Sequence, residues 1–229
     1  MVQQLNPSQK PDTKPTAVDY PDSDGQPMSD NTEQFKWIVT IKENLELVYA
    51  SDPNVFVAGD LLWYPVEGNN KIRQAPDTMV AIGRPKGYRG SYMQWKENNI
   101  APQVVFEILS PGNRRSEIIK KLLFYERYGV EEYYEYNPYK VELVGLKREA
   151  TGLESIDNLN GWTSPTLNIR FELTPETLVL YRPDGSPFLT YVELGQQLDE
   201  KSQQLDKSRA ENAKLLAKLK ELGIDPSTL

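Results

Sequence analysis

The sequence predicts a mixed α/β (α+β) protein in which helices flank a central mixed sheet and a helical tail follows. Between residues 31 and 190, short apolar runs rich in β-branched and aromatic residues alternate with two segments of helical periodicity. The first 30 residues are rich in Pro and Asp, whereas residues 191–229 are rich in Gln, Lys, Glu and Leu. The 229-residue chain therefore divides into an arm (1–30), one domain (31–190) and a tail (191–229).

The arm, residues 1–30, is predicted to be flexible. It contains five of the 17 prolines, five Asp and a single aromatic residue, Tyr20. Such a segment buries too little apolar surface to offset the entropy lost on ordering. It lacks the basic start and apolar core of a signal peptide, and no stretch approaches the ~20 apolar residues of a membrane-spanning helix. We therefore expect a soluble cytoplasmic protein without a membrane partner.

The domain is predicted to begin with a helix near Asp30, where Glu33 completes a capping box. Its apolar stripe consists of residues at steps of three and four: Phe35, Ile38, Ile41, Leu45 and Val48. A second helix is expected at 114–128, ending at Gly129. The predicted strands are 55–64, 78–82, 103–109, 132–136, 141–146, 166–173 and 177–181.

The tail has a weak heptad pattern. Position a is filled by Leu198, Leu205, Asn212 and Leu219, and position d by Leu194, Lys201, Ser208, Leu215 and Leu222. Leucine at most of these sites, with one Asn at a, is typical of a coiled coil. The stripe is weak in the middle, so the pattern predicts a short helical hairpin or a homodimer formed through residues 191–222, and not a long stable coil. A solvated amphipathic tail is the alternative.

The composition excludes several kinds of catalysis. The chain has no His and no Cys, so it lacks imidazole bases, thiolate nucleophiles, disulfides and structural zinc sites. Catalysis in this chain must use carboxylates, Lys, Arg, Tyr, Ser or Thr. Carboxylate oxygens favour hard cations such as Mg²⁺ or Mn²⁺.

Two carboxylates fall where strands should be buried. Asp77 follows Pro76 at the opening of one strand, and Glu107 lies inside the run Val104-Val105-Phe106-Glu107-Ile108-Leu109. A buried carboxylate is costly unless it meets a cation or hydrogen-bond donors. A turn residue at Asp77 and an edge-facing, structural Glu107 remain the alternatives.

Lys121 is the third candidate. On the second helix, Ile118, Leu122 and Tyr125 form an apolar face, and Lys121 falls within or beside it. A lysine there can extend its ammonium past the edge of the core. It can also reach a site at the ends of the preceding strands.

Pro76-Asp77 followed by Glu107 in a hydrophobic strand resembles the PD-(D/E)XK nuclease superfamily. The chain resembles more closely the Uma-type family of restriction endonucleases, within which 31–190 is compatible with a divergent branch. The matching positions are 75–77, 107–111, 114–115, 129–133 and 137–138, together with Lys121 and Tyr125.

The resemblance implies a restriction-endonuclease-like core that hydrolyses phosphodiester bonds, with Asp77 and Glu107 as catalytic residues. Asp77, Glu107 and the main-chain carbonyl of Ile108 would then bind Mg²⁺ or Mn²⁺. Leu109 occupies the position where the superfamily has Lys, and the resemblance implies that Lys121 on the following helix takes this role as the third catalytic residue. An additional acidic ligand is left open among Glu43, Glu46 and Asp60.

The local charge is compatible with a DNA substrate. Residues 71–127 contain 11 basic and five acidic residues, although the whole chain is acidic, with 26 Lys and Arg against 33 Asp and Glu. The predicted nucleic-acid contacts are Arg84, Lys86, Arg89, Arg114 and Arg115. The sequence thus predicts a Mg²⁺-dependent DNA endonuclease. The alternatives are an inactive nuclease-fold scaffold assembled through the tail, and an ordinary buried ion network.

Overall fold

The computed structural model describes residues 18–23, 25, 29 and 31–222, and the described part of the chain contains three α-helices and ten strands. In chain order these are α1 (Thr32–Val48), β1 (Val55–Gly59), β2 (Trp63–Tyr64), β3 (Thr78–Ile82), β4 (Tyr92–Met93), β5 (Val104–Ile108), α2 (Arg115–Tyr128), β6 (Glu132–Asn137), β7 (Glu142–Glu149), β8 (Gly152–Ser155), β9 (Arg170–Leu173), β10 (Leu178–Tyr181) and α3 (Tyr191–Glu221).

The central sheet has the strand order β1-β3-β5-β6-β7-β8. Strands β5 and β6 run parallel, with α2 as the connection between them, and the other neighbours are antiparallel. Two small pairs, β2 with β4 and β9 with β10, lie outside this sheet. The predicted mixed α/β class with a central mixed sheet is therefore confirmed.

Each face of the central sheet is covered by one helix and one small strand pair. On one face, apolar residues of α1 and of β9 and β10 pack against alternate strand residues such as Val104 and Phe106. On the other face, residues of α2, β2 and β4 pack against the intervening positions, among them Val105 and Met79. This alternation follows from the two-residue period of a strand, and it places Glu107 on the α2 face with Val105.

Helix α1 begins one residue later than predicted. Asn31 is the N-cap, and its side-chain oxygen accepts hydrogen bonds from the backbone N–H groups of Glu33 and Gln34. The buried face of the helix includes Gln34 and Ile38, whereas Phe35, which the stripe was expected to include, is exposed. The apolar face therefore lies about one residue away from the predicted stripe at the start of the helix.

The predicted strand at 55–64 is wrong as a single element. The chain leaves the central sheet after Gly59 because Asp60 has a φ of 47°, in the left-handed region, which ends the strand. Residues 63–64 then pair with β4 in a separate two-stranded unit. Strand β8 was not predicted, since its four residues are short and partly polar.

The described part of the tail forms one continuous helix, not a hairpin, and this helix is capped by Thr190, which exchanges hydrogen bonds with Glu193. Of the predicted arm, the described residues include Tyr20, which packs against Tyr64 and Trp95. Most of the remaining arm, including Asp30, lies outside the described residues, as does the end of the tail beyond Leu222. None of the described helices has the length and apolar character needed to cross a membrane.

Candidate active site

Asp77 and Glu107 face each other across two neighbouring strands. The antiparallel register of β3 and β5 pairs Thr78 with Phe106, and one further step sets Asp77 opposite Glu107. Both side chains lie on the α2 face, and the two residues are only 7% and 4% exposed. Two carboxylates so close in a buried position repel each other unless positive charge or hydrogen bonds compensate them.

The negative charge of the Asp77 carboxylate is only partly offset by its surroundings. Its Oδ2 accepts a hydrogen bond from the backbone N–H of Ile108 at 2.7 Å. Burial, together with the charge of Glu107, raises the pKa of Asp77 to about 8, although Lys121 and the hydrogen bond from Ile108 oppose the rise. The site therefore favours additional positive charge beside this carboxylate.

Glu107 is held by two residues of α2. Lys121 Nζ lies 2.5 Å from Glu107 Oε2, and the Tyr125 hydroxyl donates to Oε1, also at 2.5 Å. Lys121 and Tyr125 are four residues apart on a helix, so they present their side chains on one face. Helix α2 thereby brings a cation and a hydroxyl donor to the same carboxylate.

The protonation of these two α2 residues follows from their surroundings. Burial alone would lower the pKa of Lys121, but the charges of Glu107 and Asp77 outweigh it and raise the pKa, so the ammonium stays charged. Burial, with Glu107 nearby, raises the pKa of Tyr125 well above its ordinary value. Tyr125 therefore keeps its proton and remains a donor at neutral pH.

Gln34 belongs to the same site, although the sequence analysis did not identify it. Its Nε2 donates to the carbonyl oxygen of Ile108 at 2.9 Å, and the residue is 6% exposed. The signal in the sequence was its spacing: Gln34 lies four residues before Ile38, on the buried face of α1. A polar residue on such a face usually has a specific partner.

The candidates for an extra acidic ligand lie at different distances from the site. Glu43 and Glu46 follow Gln34 by nine and twelve residues, or roughly 14–18 Å along the helix axis, and each forms an ion pair with a lysine. Asp60 is adjacent, because its backbone N–H donates to the carbonyl oxygen of Asp77 at 3.3 Å. Its charge also contributes to the raised pKa of Asp77.

Asp77, Glu107 and Lys121 line a small cavity of about 80 Å³. Leu109, at the position where the superfamily has Lys, also contributes to the wall. The cavity is lined by Gln34, Asp77, Glu107, Ile108, Leu109, Asn113, Glu117, Ile118, Lys121 and Tyr133. Its volume is comparable to that of two or three water molecules at roughly 30 Å³ each, which suits an ion and its waters.

The donor set fits a hard divalent cation. Asp77 and Glu107 offer carboxylate oxygens, and the Ile108 carbonyl has a second lone pair beside the hydrogen bond from Gln34. Within residues 31–222 and the shorter described segments, no cluster of three or more His, Cys, Asp or Glu could bind a metal. A cation bound by two carboxylates and a carbonyl would keep several waters, as Mg²⁺ usually does.

Comparison with known protein families shows which family the chain belongs to. The model of the Uma2 family, described as putative restriction endonuclease, matches residues 17–176. The chain belongs to this family. The match includes Asp77, Glu107 and Lys121, and it ends before α3 begins. Membership supports a nuclease fold and a nuclease-type activity.

A solved structure similar to this Uma2-family chain comes from Anabaena variabilis and is described as a putative nuclease belonging to DUF820. The two share 16% sequence identity, and the aligned region covers 59% of this chain and 72% of the other, with a TM-score of 0.44. No curated protein matches the chain significantly in sequence.

Three of the basic residues predicted to contact nucleic acid are paired with carboxylates. Arg84 and Arg89 both bind Glu97, with Nε–Oε distances of 2.8 and 2.7 Å. Lys86 Nζ lies 3.0 Å from Glu46 Oε2. These ion pairs tie the loop that follows β3 to the domain, and they occupy the charges that a phosphate would need.

Arg114 and Arg115 have a different environment. Both are exposed at the start of α2, and Arg114 is its N-cap residue. The neighbouring residues Asn113 and Glu117 line the small cavity. The two arginines are therefore neighbours in sequence of residues that line the site.

Proposed function

We propose that the protein is an endonuclease that hydrolyses phosphodiester bonds in DNA, uses Mg²⁺ or Mn²⁺, and acts as a homodimer formed through residues 191–222. Membership of the Uma2 family supports nuclease activity. The observation that carries the finer proposal is the convergence of Asp77, Glu107 and Lys121 on one cavity. Each comes from a different element, and together they supply two carboxylates and one fixed cation.

The metal ligands in this proposal are Asp77, Glu107 and the carbonyl oxygen of Ile108. A divalent cation bound there would lower the pKa of a coordinated water and polarise a phosphoryl oxygen. The 7% and 4% exposed fractions of the two carboxylate residues support a dry site, in which electrostatic interactions are strong.

Lys121 has an electrostatic role in this proposal. The raised pKa of its ammonium argues against a general base, because a charged lysine has no lone pair to accept a proton. A fixed cation can instead orient the attacking water and offset charge that develops on the phosphoryl oxygens. Lys121 thus supplies from α2 the charge that Leu109, the residue after β5, cannot supply.

Tyr125 and Gln34 are positioning residues. Tyr125 donates to the Glu107 oxygen that Lys121 does not contact, which fixes the orientation of the carboxylate. Gln34 donates to the Ile108 carbonyl and so limits rotation of that peptide. Partners that orient ligands in this way usually tune a metal site strongly.

DNA is proposed to approach past the start of α2. Arg114 and Arg115 are exposed beside the cavity and can contact phosphates flanking the scissile bond. Arg84, Lys86 and Arg89 remain predicted contacts, but their ion pairs with Glu97 and Glu46 make them weaker candidates.

A plasmid-nicking assay tests the proposed activity. Supercoiled DNA is incubated with the wild type and with Asp77→Asn, Glu107→Gln and Lys121→Met, in Mg²⁺, in Mn²⁺ and in EDTA. Lys120→Met is the matched control because Lys120 is exposed and adjacent in sequence. We expect the wild type and the Lys120→Met control to nick DNA only when a divalent cation is present. The three site variants should not nick DNA under any of these conditions. Equal nicking by all folded variants would contradict the proposed site.

A scaffold with a nuclease fold is the second candidate. Leu109 at the usual Lys position and an α3 without buried residues both favour it. A scaffold would form dimers through α3 but bind no divalent cation at Asp77 and Glu107. Metal binding therefore separates the two candidates before any substrate is known.

A further inference from the structure

Helix α3 exposes a row of large apolar residues to solvent. It has 31 residues, or roughly 46 Å of helix, and none of them is buried. Leu198, Leu205, Leu215 and Leu222 are between 51% and 74% exposed. A long helix with an uncovered leucine stripe is marginal alone and gains stability when another helix covers the stripe.

The charges of α3 are divided between its two halves. Residues 191–206 contain four acidic residues and one basic residue, a net charge of −3, whereas residues 207–222 contain five basic and two acidic residues, a net charge of +3. The helix dipole favours such a division only within the first and last turns. Here the division continues to the middle of the helix, at Asp206 and Lys207.

We propose that α3 pairs with α3 of a second copy of this chain in an antiparallel coiled coil. The acidic half of each helix then lies along the basic half of its partner. This inference rests on the homodimer proposed above and adds its orientation, but it does not depend on the phosphodiester chemistry.

The heptad positions support full antiparallel overlap. In an antiparallel pair, each a residue faces a d residue of the partner. Aligning Leu198 with the partner's Leu215 therefore determines the pairing in all of the remaining layers. Both ends of the coil become apolar and the polar residues meet in the middle. The layers are Tyr191 with the partner's Leu222, Leu194 with the partner's Leu219, Leu198 with the partner's Leu215, Lys201 with the partner's Asn212, and Leu205 with the partner's Ser208.

The parallel arrangement is less favourable on the same evidence. In register, it would place Lys201 against the partner's Lys201 inside the seam, where like charges repel. It would also align the two acidic halves with each other and the two basic halves with each other. The antiparallel register pairs Lys201 with an uncharged side chain instead.

A cavity beside the start of α3 gives independent support. It has a volume of about 650 Å³ and lies between α1 and the first turn of α3, where Tyr191 and Leu194 line it. The antiparallel register brings the partner's Leu222 to this end of the helix. A parallel partner would leave that residue about 46 Å away.

The orientation determines where the two candidate active sites lie. Each domain joins α3 at Thr190, so antiparallel helices place the domains at opposite ends of the coil. The separation of the two attachment points is roughly the helix length, about 46 Å. Such a dimer would act on two separate DNA segments, or on positions far apart in one duplex.

Disulfide cross-linking tests the orientation. The sequence has no native cysteine, so a disulfide can form only between the introduced residues. Leu198→Cys and Leu215→Cys are purified separately and also co-expressed, then oxidised mildly, with Ala217→Cys on the outer face as the control. Antiparallel pairing predicts a cross-linked dimer only from the co-expressed pair, since each residue lies about 26 Å from its own copy along the axis. The Ala217→Cys control is expected to stay uncross-linked.

Other outcomes overturn the proposal in distinguishable ways. Cross-linking of each variant with itself would establish a parallel dimer, which contradicts the orientation and leaves the homodimer intact. No cross-link in any mixture, with a monomer mass in sedimentation equilibrium of the wild type, would contradict the homodimer as well. Neither outcome bears on plasmid nicking, which is measured separately.

Discussion

Lys121 Nζ lies 2.5 Å from Glu107 Oε2, so a helix supplies the cation that the superfamily pattern would place on the strand. The Glu107 side chain is 5% exposed and that of Lys121 29% exposed, so the pair lies at the edge of the core. This position allows the lysine to balance a buried carboxylate and, in the proposed mechanism, to face a phosphate as well.

Replacing Lys121 by Met should separate activity from packing, because Met keeps the volume and removes the charge. We expect nicking to fall by about 10²–10³-fold. The free energy of unfolding should fall by about 1–3 kcal/mol, since buried Glu107 loses its ion-pair partner. Urea titration and single-turnover nicking measure the two effects. Lys120→Met should change stability by less than about 0.5 kcal/mol, and an equal loss in both variants would contradict a specific role for Lys121.

Gln34→Glu tests whether α1 reaches the metal position. A third carboxylate beside Asp77 and Glu107 should raise Mn²⁺ affinity by about tenfold, or 1.4 kcal/mol. It should also lower the melting temperature without metal, because like charges then crowd one cavity. Calorimetry and thermal unfolding with and without Mn²⁺ check both effects. Gln34→Met removes the hydrogen bond to Ile108 without adding charge, so it should not increase Mn²⁺ affinity. An equal increase in Mn²⁺ affinity in Gln34→Met and Gln34→Glu would refute this account.

The sequence indicated part of this site. The hydrophobic context of the predicted strands identified Asp77 and Glu107 as unusual carboxylates, and helical spacing placed Lys121 near the buried face. The sequence could not indicate the hydrogen bond between Gln34 and the Ile108 carbonyl. The two residues are 74 positions apart, and only the packing of α1 on the sheet brings them together. Charge counts likewise could not indicate which basic residues already have carboxylate partners.

Arg115→Ala and Arg89→Ala should have different consequences. Arg115 is exposed beside the site, so its loss should weaken DNA binding across all sequences and reduce the slope of log affinity against log salt by about 1. Stability should remain unchanged. Arg89 binds Glu97 and stacks over Phe56 at 4.0 Å, so its loss should mainly lower stability. Fluorescence anisotropy at several salt concentrations, with urea unfolding, distinguishes these effects. The reverse pattern would contradict the proposed DNA path.

The ion pairs of Glu97 should make the free energy of unfolding decrease at acidic pH. Burial alone would raise its pKa, but hydrogen bonds from Arg89 and Arg84 outweigh burial and lower the pKa below its usual value. A depressed carboxylate pKa stabilises the fold above the unfolded pKa of about 4.3, and this contribution is lost as pH falls through the folded pKa. Glu97→Gln should therefore be less stable than wild type at pH 7, with a smaller difference at pH 3. A difference that does not change between these pH values would contradict the ion-pair account.

The fold was easier to predict than its details. The order of α1, α2 and the central strands β1, β3, β5 and β6 follows from apolar periodicity and from residues that end elements, such as Gly129, whose φ of 96° ends α2. The break at Asp60 depends on a left-handed backbone conformation that neighbouring strand-like residues concealed. The antiparallel register between β3 and β5, which brings Asp77 to Glu107, is a tertiary property that was not predicted, and only the resemblance implied that these two carboxylates meet.

Calorimetric titration with Mn²⁺ tests the central claim most directly, because it needs no substrate. We expect one site per chain in the wild type and in the control Glu43→Gln, and no binding in Asp77→Asn or Glu107→Gln of matched folded stability. That result would support a cation held by Asp77 and Glu107. Failure of the wild type to bind Mn²⁺ or Mg²⁺, with or without DNA, would contradict the metal-dependent nuclease, as would binding that survives both substitutions.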